Sequence, residues 1–248
     1  MNDSNNPAAQ VLPDAASNLN KKAQVADMFD SIAGKYDFLN HFLSLGIDKG
    51  WRKKAIREIA SVRPKTILDV ATGTGDLAIT ASKINPDSII GVDISEGMLE
   101  VGRKKINALK LDPVITLQKG DSESLAFSDN YFDAITCAYG VRNFENLTGG
   151  LKEMNRVMKP GGKMAILEFS HPKNFPVKQL YQLYFRFVLP TLGKLVSKHK
   201  SAYTYLPESV MAFPEGKKFC AILEECGFKN AKARPLTLGI TTLYTADK

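Results

Sequence analysis

The chain of 248 residues carries 33 Lys and Arg against 26 Asp and Glu, for a formal net charge of +7. That length can bury a large core without disulfide bonds, and three cysteines without metal-type spacing are typical of a reducing compartment. No apolar run reaches about 18 residues and no signal-peptide core is present, which argues against a transmembrane helix or export. We therefore expect a cytoplasmic protein, whose charge favours an anionic partner such as nucleic acid, a membrane surface or an acidic substrate.

Residues 1–20 are rich in Asn, Asp, Ser, Ala and Pro and contain no Lys or Arg. This composition predicts a disordered tail rather than a mitochondrial transit peptide. Residues 21–248 contain neither a linker nor an internal repeat and are predicted to form a single domain. Amphipathic helical spacing over residues 25–33 and 49–60 predicts a helical cap, residues 21–62, over the edge of a sheet.

From residue 66, short apolar runs alternate with segments of helical spacing, as in a parallel sheet covered by helices on both faces. We predict that residues 63–168 form the cofactor-binding core. The predicted strands are 66–70, 88–93, 114–118, 132–138 and 163–169, the last of which ends just beyond the core. The predicted helices are 76–84, 96–109 and 147–158, the last ended by Lys159-Pro160-Gly161-Gly162. A helix at 215–226 and strands at 229–234 and 240–246 follow in residues 208–248. The predicted fold class is α/β, with a doubly wound, mainly parallel sheet of seven strands.

A glycine-rich turn joins the first predicted strand to a helix, in residues 67–76 (ILDVATGTGD). Gly73 and Gly75 permit positive φ angles and close approach of a ligand, and open α/β sheets bind ligands beyond the carboxyl ends of their strands. The turn therefore predicts a nucleotide-like ligand, against the alternative of a tight turn that binds nothing.

The same turn, with Ala78, satisfies the loose dinucleotide fingerprint G-x-G-x-x-G/A, so an NAD-type oxidoreductase is a competing interpretation. Asp69 stands just before the turn, where a carboxylate repels a pyrophosphate and attracts a cationic ligand. S-adenosylmethionine carries an ammonium and a sulfonium and no phosphate, so Asp69 favours it as the cofactor.

Acidic residues also end the next two strands. Asp93 lies 20 residues after Gly73, a spacing at which an acidic side chain accepts hydrogen bonds from ribose hydroxyls. Asp121, followed by Ser122, could accept from an adenine amino group; an Asp that begins a turn is the alternative. Together these residues predict an adenosine site.

These runs resemble the motifs of class I S-adenosylmethionine-dependent methyltransferases, at residues 68–75 (LDVATGTG), 91–93 (GVD), 120–121 (GD) and 157–163 (VMKPGGK). Other runs resemble signatures of the quinone C-methyltransferases that make menaquinone and ubiquinone, at residues 31–40 (SIAGKYDFLN), 132–144 (FDAITCAYGVRNF) and 167–170 (LEFS). The resemblance extends from about residue 21 to the C-terminus.

The resemblance implies carbon methylation of a polyprenyl quinol; demethylmenaquinol is favoured, and a benzoquinol or both substrates are left open. The implied cofactor-binding residues are Thr74, Asp93, Asp121 and Ser122, with Gly73 and Gly75 shaping the loop. Two positions depart from the family pattern. Some relatives have a serine contact where this chain has Ala138, and a lysine is common at the position of His171.

Carbon methylation needs an electron-rich ring, so the reduced quinol is the expected substrate. No metal is expected, because the sequence has no cluster of ligands with suitable spacing. Positioning, desolvation, a base and stabilisation of the phenolate would supply the acceleration. We assign phenolate stabilisation to Arg142, orientation of a water to Asn143 and a hydrogen bond to the quinol to Tyr36. Alternatively, Arg142 pairs with an acid such as Glu145, and Tyr36 packs in the cap.

Between Glu168 and Glu208 lies a basic aromatic insertion, residues 169–207, with no Asp or Glu, six Lys or Arg and eight Phe or Tyr. Its residues 177–189 have the spacing of an amphipathic helix that suits either a membrane interface or a lid over an apolar ligand. An ordinary substrate-side subdomain is the alternative. Without the insertion the chain is nearly neutral, so most of the net positive charge lies in the insertion.

We expect a polyprenyl quinol as partner, transient contact with the inner face of the cell membrane, and no nucleic acid. A nucleic-acid methyltransferase would combine basic and aromatic residues too, but no Asn-Pro-Pro-Tyr type motif occurs and the insertion is too apolar for a phosphate track. A protein that binds adenosine without catalysis is a third interpretation, and a homodimer is left open.

Overall fold

The computed structural model describes residues 10–44, 46–183 and 201–248. Seven strands form one sheet in the order β3-β2-β1-β4-β5-β7-β6. The strands are β1 (Thr66–Val70), β2 (Ser88–Asp93), β3 (Ile115–Lys119), β4 (Phe132–Ala138), β5 (Met158–Phe169), β6 (Lys229–Leu236) and β7 (Thr241–Asp247). The first five strands are parallel, whereas β7 runs antiparallel to both β5 and β6. The predicted doubly wound α/β fold is confirmed.

The described helices are α1 (Lys21–Leu43), α2 (Asp48–Ile59), α3 (Asp76–Ala81), α4 (Glu96–Ala108), α5 (Leu147–Val157), α6 (Val177–Leu183), α7 (Ser201–Ala212) and α8 (Lys217–Glu225). Helices α2, α3 and α4 pack on one face of the sheet, and α5 and α8 pack on the other. Side chains such as Leu151 and Met154 of α5 are fully buried there, at the spacing of one helical face.

Helix α2 is part of a layer of the core and not, as the sequence suggested, a cap over the sheet edge. Its residues Trp51, Ala55 and Ile59 are buried, and the helix packs against β4 and β5. An amphipathic pattern predicts that a helix has one buried face, but the partner of that face depends on topology, which the local pattern does not contain.

Strand β5 begins at Met158, five positions before the predicted start, and passes through Pro160-Gly161-Gly162. Helix α5 ends at Val157, just before the proline and glycines that were predicted to end it. The chain then continues as an irregular strand. Its register against β4 shifts between Phe132 and Ala134. A Cβ on Gly162 would lie 2.8 Å from the carbonyl oxygen of Asp133, so glycine permits the close backbone approach of this bulge.

Part of the predicted disordered tail is ordered. Pro13 is buried, the backbone N–H of Asp14 donates to Gln24 Oε1 at 2.9 Å, and Gln24 Nε2 donates to the Leu19 carbonyl at 2.7 Å. The side chain of Gln24 on α1 thus satisfies backbone groups of residues 14–19, which composition alone could not reveal. Residues 1–9 lie outside the described residues.

Of the amphipathic helix predicted at 177–189, the structure describes α6, and residues 184–189 lie outside the described residues. Within the described residues, no helix combines the length and the apolar character needed to cross a bilayer.

Candidate functional site

A cleft opens at the carboxyl ends of β1 to β4, where the strand order reverses between β1 and β4. It encloses about 650 Å³ of space, part of it open to solvent, and α1 covers one side. Six predicted site residues line it: Tyr36, Gly73, Asp93, Asp121, Ser122 and Asn143. Four others, Asp69, Thr74, Gly75 and Arg142, are not among its lining residues.

The glycine-rich turn is held open by left-handed backbone angles. Ala71, Gly73 and Gly75 have φ angles of 52°, 56° and 79°. The backbone N–H of Gly73 donates to Asp93 Oδ2 at 2.8 Å, and Asp93 Oδ1 accepts from the backbone N–H of Ser95 at 2.9 Å. Burial raises the pKa of Asp93, although these N–H groups oppose the shift. Asp93 therefore joins the turn to the end of β2 at the cleft wall.

Asp69 lies beneath the turn. Its two carboxylate oxygens accept hydrogen bonds from the hydroxyls of Thr72 at 2.6 Å and Thr136 at 2.7 Å. Full burial raises its pKa from 3.8 to about 6, against the opposing effect of the hydroxyl hydrogen bonds. Asp69 thus links β1, the turn and β4, and its side chain faces this network, not the cleft.

Thr74, implied as a cofactor contact, is buried in another network. Its hydroxyl donates to Asp37 of α1 and accepts from Lys105 of α4, whose Nζ lies 3.1 Å away. Lys105 also binds Asp37 and Asp76, each at 2.6 Å. The side chain of Thr74 therefore ties the turn to α1 and α4, and Lys105 extends the network to α3.

Asp121 and Ser122 line the cleft at the end of β3. Asp121 Oδ2 pairs with Lys22 of α1 at 2.6 Å, and Asp121 Oδ1 accepts from the backbone N–H of Glu123 at 2.9 Å. Lys22 also contacts Glu123 Oε2 at 3.1 Å. A ligand amino group that binds Asp121 must share the carboxylate with Lys22 or displace it.

Helix α1 docks beside the cleft through Asp30. Its Oδ1 accepts from the Ser95 hydroxyl at 2.5 Å and from the backbone N–H of Gly97 at 2.8 Å. Ser95 also caps α4 by accepting from the backbone N–H of Met98. A Cβ on Gly97 would lie 3.3 Å from the Cα of Asp30, so the glycine allows the close approach. Helix α1 is thereby fixed against the segment that follows β2.

Tyr36 and Asn143 face the cleft from α1 and from the turn after β4. The Tyr36 ring also packs edge-on against Phe29, with centroids 5.9 Å apart, so it both lines the cleft and packs in the cap. Asn143 Oδ1 accepts from the hydroxyl of Tyr205 on α7 at 3.0 Å. Ala138, at the departure from the family pattern, also lines the cleft.

Arg142 is buried behind the cleft lining. Its guanidinium pairs with Glu168 at 2.8 Å, not with Glu145, and donates to the Tyr139 carbonyl. The guanidinium carbon also lies 5.6 Å from the centroid of the Phe169 ring. Arg142 is thus a fixed charge in the wall rather than a side chain that projects into the cleft.

The sequence patterns did not predict several residues at or beside the cleft, among them Lys22, Asp30 and Tyr205. Lys21 is another: it is buried, and its Nζ lies 3.4 Å from the carbonyl oxygen of Arg142. Burial, aided by the charge of Arg142, lowers the Lys21 pKa to about 8. No local pattern identifies these residues, because each reaches the site through packing of α1 or α7.

The cleft fits a cationic nucleoside better than a phosphorylated one. Among its described lining residues, Asp93, Asp121, Glu123 and Glu145 are acidic, and Lys22 is the basic one. Such a lining repels a pyrophosphate, so the electrostatic argument first made for Asp69 now rests on these four residues. Apolar surface is also present, from Val92, Ile94, Met98 and Phe144. The residues present therefore fit S-adenosylmethionine.

Known proteins support this interpretation. A model of the ubiE/COQ5 methyltransferase family matches residues 17–248. The demethylmenaquinone methyltransferase of Bacteroides fragilis is 52% identical over 246 residues, which cover 98% of this chain and 100% of the relative. The ubiquinone/menaquinone biosynthesis C-methyltransferase UbiE of Geotalea daltonii is 47% identical over 230 residues, which cover 92% and 97%.

The fold also has solved counterparts. A putative S-adenosyl-L-methionine-dependent methyltransferase from Methanococcus maripaludis superposes with a TM-score of 0.59, at 19% identity, over 95% of this chain and 97% of that one. That likeness concerns the fold alone. The family match covers nearly the whole chain and confirms the resemblance found in the sequence: the chain belongs to the ubiE/COQ5 methyltransferase family.

Proposed function

We propose that this protein methylates the ring carbon of demethylmenaquinol, with S-adenosylmethionine as cofactor, to give menaquinol. Family membership and a relative of 52% identity that is named demethylmenaquinone methyltransferase support the proposal. The main observation behind it is that Asp93, Asp121 and Asn143 line one and the same cleft. The two acids follow neighbouring strands, and Asn143 lies on the turn after β4.

S-adenosylmethionine, when bound, supplies an electrophilic methyl group on its sulfonium. Asp93 would accept hydrogen bonds from the ribose hydroxyls. Asp121 would accept a hydrogen bond from the adenine amino group after Lys22 has moved away from it or shares the carboxylate. Gly73 would let the cofactor approach the backbone, and Ser122 would offer a further polar group to the adenine.

The reaction also requires a quinol hydroxyl to lose its proton beside the accepting carbon. After the methyl group has moved from sulfur to carbon, this carbon must lose its hydrogen as a proton and the oxygen must regain one, which restores the quinol. Tyr36 and Asn143, which line the cleft, would hold this hydroxyl or a water that takes the proton. Arg142 would favour the phenolate through its fixed positive charge, which Glu168 partly neutralises. The residues that line the cleft would hold the quinol ring for in-line attack on the methyl group.

The ring system is the open part of the proposal. Since the Geotalea daltonii relative is named for both ubiquinone and menaquinone biosynthesis, a benzoquinol or dual specificity is the second candidate. Nucleic acid is not an expected substrate, because the acidic lining of the cleft would repel phosphates.

Mass spectrometry of quinones from cells that lack the protein tests the function. We expect demethylmenaquinone to accumulate, and menaquinone to return with the wild-type gene but only in a small amount with Asn143→Ala expressed at an equal level. Assays of the purified protein with reduced demethylmenaquinol and the matching benzoquinol then measure ring specificity. An unchanged quinone profile would reject the proposal.

We also propose that the protein is cytoplasmic and peripheral, and that its basic aromatic insertion contacts the inner face of the cell membrane. Phe175, Leu180 and Leu183 are 81%, 62% and 52% exposed, although they are large and apolar. Lys173 lies in the same segment with its side chain 81% exposed. Apolar side chains beside basic ones suit an anionic bilayer, in which a polyprenyl quinol is dissolved.

Flotation with liposomes, with and without anionic lipid, tests this contact. We expect wild type to float with anionic liposomes, and the triple variant Phe175→Ser/Leu180→Ser/Leu183→Ser to remain unbound. Leu109→Ser is the matched control, because Leu109 is 53% exposed at the end of α4, outside the insertion. Absence of wild-type flotation with either lipid mixture contradicts the membrane proposal and does not bear on the proposed reaction.

A further inference from the structure

Tyr205 makes a directed hydrogen bond to a residue that lines the cleft. The residue lies on α7 at the end of the insertion and is 2% exposed. Its hydroxyl donates to Asn143 Oδ1 at 3.0 Å, across 62 positions of the sequence. Tyr205 itself is not among the lining residues of the cleft, so it acts on the site through Asn143.

The partners of Asn143 determine which way its amide faces. Asn143 Nδ2 lies 3.4 Å from the carbonyl oxygen of Tyr139, a group that can only accept a hydrogen bond. Oδ1 is therefore the atom that faces Tyr205. Burial raises the pKa of the Tyr205 hydroxyl, which stays protonated and remains a donor. Both contacts favour the same orientation of the amide.

The ring of Tyr205 has a separate structural role. It packs with Val25 and Met28 of α1 in a small buried cluster, against which Phe29 and Ile94 are partly buried. The ring thus packs α7 against α1, whereas the hydroxyl binds Asn143 on the turn after β4. Because ring and hydroxyl have different partners, a Phe substitution separates packing from hydrogen bonding.

We propose that Tyr205 is a positioning residue, whose hydroxyl holds the Asn143 amide in the orientation that the methyl transfer uses. This inference rests on the proposed function, in which Asn143 contacts the quinol or a water. It also gives the insertion a part in the reaction: its last helix supplies the hydrogen bond that orders a residue of the cleft.

Tyr205→Phe, assayed with reduced demethylmenaquinol, is the first test. We expect kcat to fall about tenfold, while KM changes less than threefold and the affinity for S-adenosylmethionine is unchanged. Tyr244→Phe is the matched control, since Tyr244 is also buried and its hydroxyl accepts from the backbone N–H of Gly216, away from the cleft lining. This control should lose stability and keep kcat.

Asn143→Ala in wild type and in Tyr205→Phe completes a double-mutant cycle. If Tyr205 acts through Asn143, the double variant is no slower than Asn143→Ala. Independent losses that multiply would overturn the inference, as would a Tyr205→Phe variant with wild-type kcat.

A second readout does not depend on activity. In ¹⁵N NMR spectra, the side-chain amide signals of Asn143, assigned with the help of Asn143→Ala, should shift or broaden in Tyr205→Phe and stay unchanged in Tyr244→Phe. Unchanged signals in Tyr205→Phe would overturn the positioning role. Altered signals in a protein that methylates no quinol would support the hydrogen bond between Tyr205 and Asn143 but reject the proposed function.

Discussion

Glu168 binds Arg142 at two places. Glu168 Oε2 accepts from the backbone N–H of Arg142 at 3.3 Å, and Oε1 accepts from its guanidinium at 2.8 Å. Glu168 is fully buried and Arg142 is 6% exposed. The end of β5 therefore fixes both the main chain and the charge of the turn that follows β4, immediately beside Asn143.

Glu168→Gln tests how much this pair contributes to stability. The amide keeps the shape of the carboxylate but leaves the buried guanidinium without a counter-charge, and breaking a buried pair costs about 3–5 kcal/mol. We expect denaturant unfolding to show a loss of about 3 kcal/mol. Glu153→Gln is the matched control: its Arg156 pair is partly exposed, so it should lose less than about 1 kcal/mol. A loss this small for Glu168→Gln would contradict the expectation.

Lys22→Met is expected to tighten binding of S-adenosylmethionine by about two- to fivefold, provided that Asp121 binds the cofactor as proposed. The substitution removes the cation that pairs with Asp121 and that would repel a cationic ligand, and a partly exposed pair contributes at most about 1 kcal/mol. Isothermal titration calorimetry measures the change. Lys104→Met, the same charge change at an exposed position of α4, should leave affinity unaltered. Weaker binding by Lys22→Met would mean that Lys22 orders Asp121 for the ligand.

The sequence predicted the central strands well, because their signals are local. Thr66–Val70, Ser88–Asp93 and Phe132–Ala138 have the predicted bounds, since each is a short apolar run flanked by polar residues or turns. The start of β5 at Met158 was missed. Proline and glycines locally signal a break, whereas pairing with β4 across a bulge depends on a distant segment.

The site was predictable where topology alone brings residues together. Asp93 ends β2, and Asp121 lies two residues beyond the end of its parallel neighbour β3, so their convergence follows from the order of the sheet. Left-handed angles at Gly73 and Gly75 set the direction of the Thr74 side chain, and sequence spacing does not determine them. The partners of Asp69 depend on the turn and on β4, which bring Thr72 and Thr136 to its carboxylate. Tyr205 depends on the packing of α7 against α1.

Asp69 should make stability depend on pH. Its folded pKa of about 6 exceeds the ordinary 3.8, so the folded state holds the proton more tightly. Unfolding then releases a proton between pH 3.8 and about 6, and stability falls as pH rises through this window. Relative to Asp69→Asn, which does not titrate, we expect wild type to lose about 3 kcal/mol. A difference in unfolding free energy that is constant from pH 4 to about 7 would contradict this origin.

Thr74→Val distinguishes the role implied by the family resemblance from the network in which the hydroxyl lies. Loss of its hydrogen bonds to Asp37 and Lys105 should reduce the unfolding free energy by about 1 kcal/mol. Affinity for S-adenosylmethionine, measured by calorimetry, should change little. Thr80→Val, which loses one hydroxyl bond to the Asp76 carbonyl, is the control. Much weaker cofactor binding with wild-type stability would support a direct contact by the Thr74 side chain.

Gly140→Ala should damage the turn that carries Arg142 and Asn143. A Cβ at Gly140 would lie 2.5 Å from the Cβ of Ala71 and 2.9 Å from Cys137 Sγ, so the glycine-rich turn and the turn after β4 must separate. Overpacking of this kind typically costs about 1–3 kcal/mol, and we expect the cofactor affinity to fall with the stability.

Gly50→Ala provides the opposite control for Gly140→Ala. Gly50 lies in α2, and a Cβ there would have no neighbouring atom within 4 Å, so alanine should stabilise the helix by about 0.5–1 kcal/mol. Thermal unfolding and calorimetry on both variants measure the contrast. If Gly140→Ala were as stable and bound the cofactor as tightly as wild type, the close contact between the two turns would not be a requirement of the site.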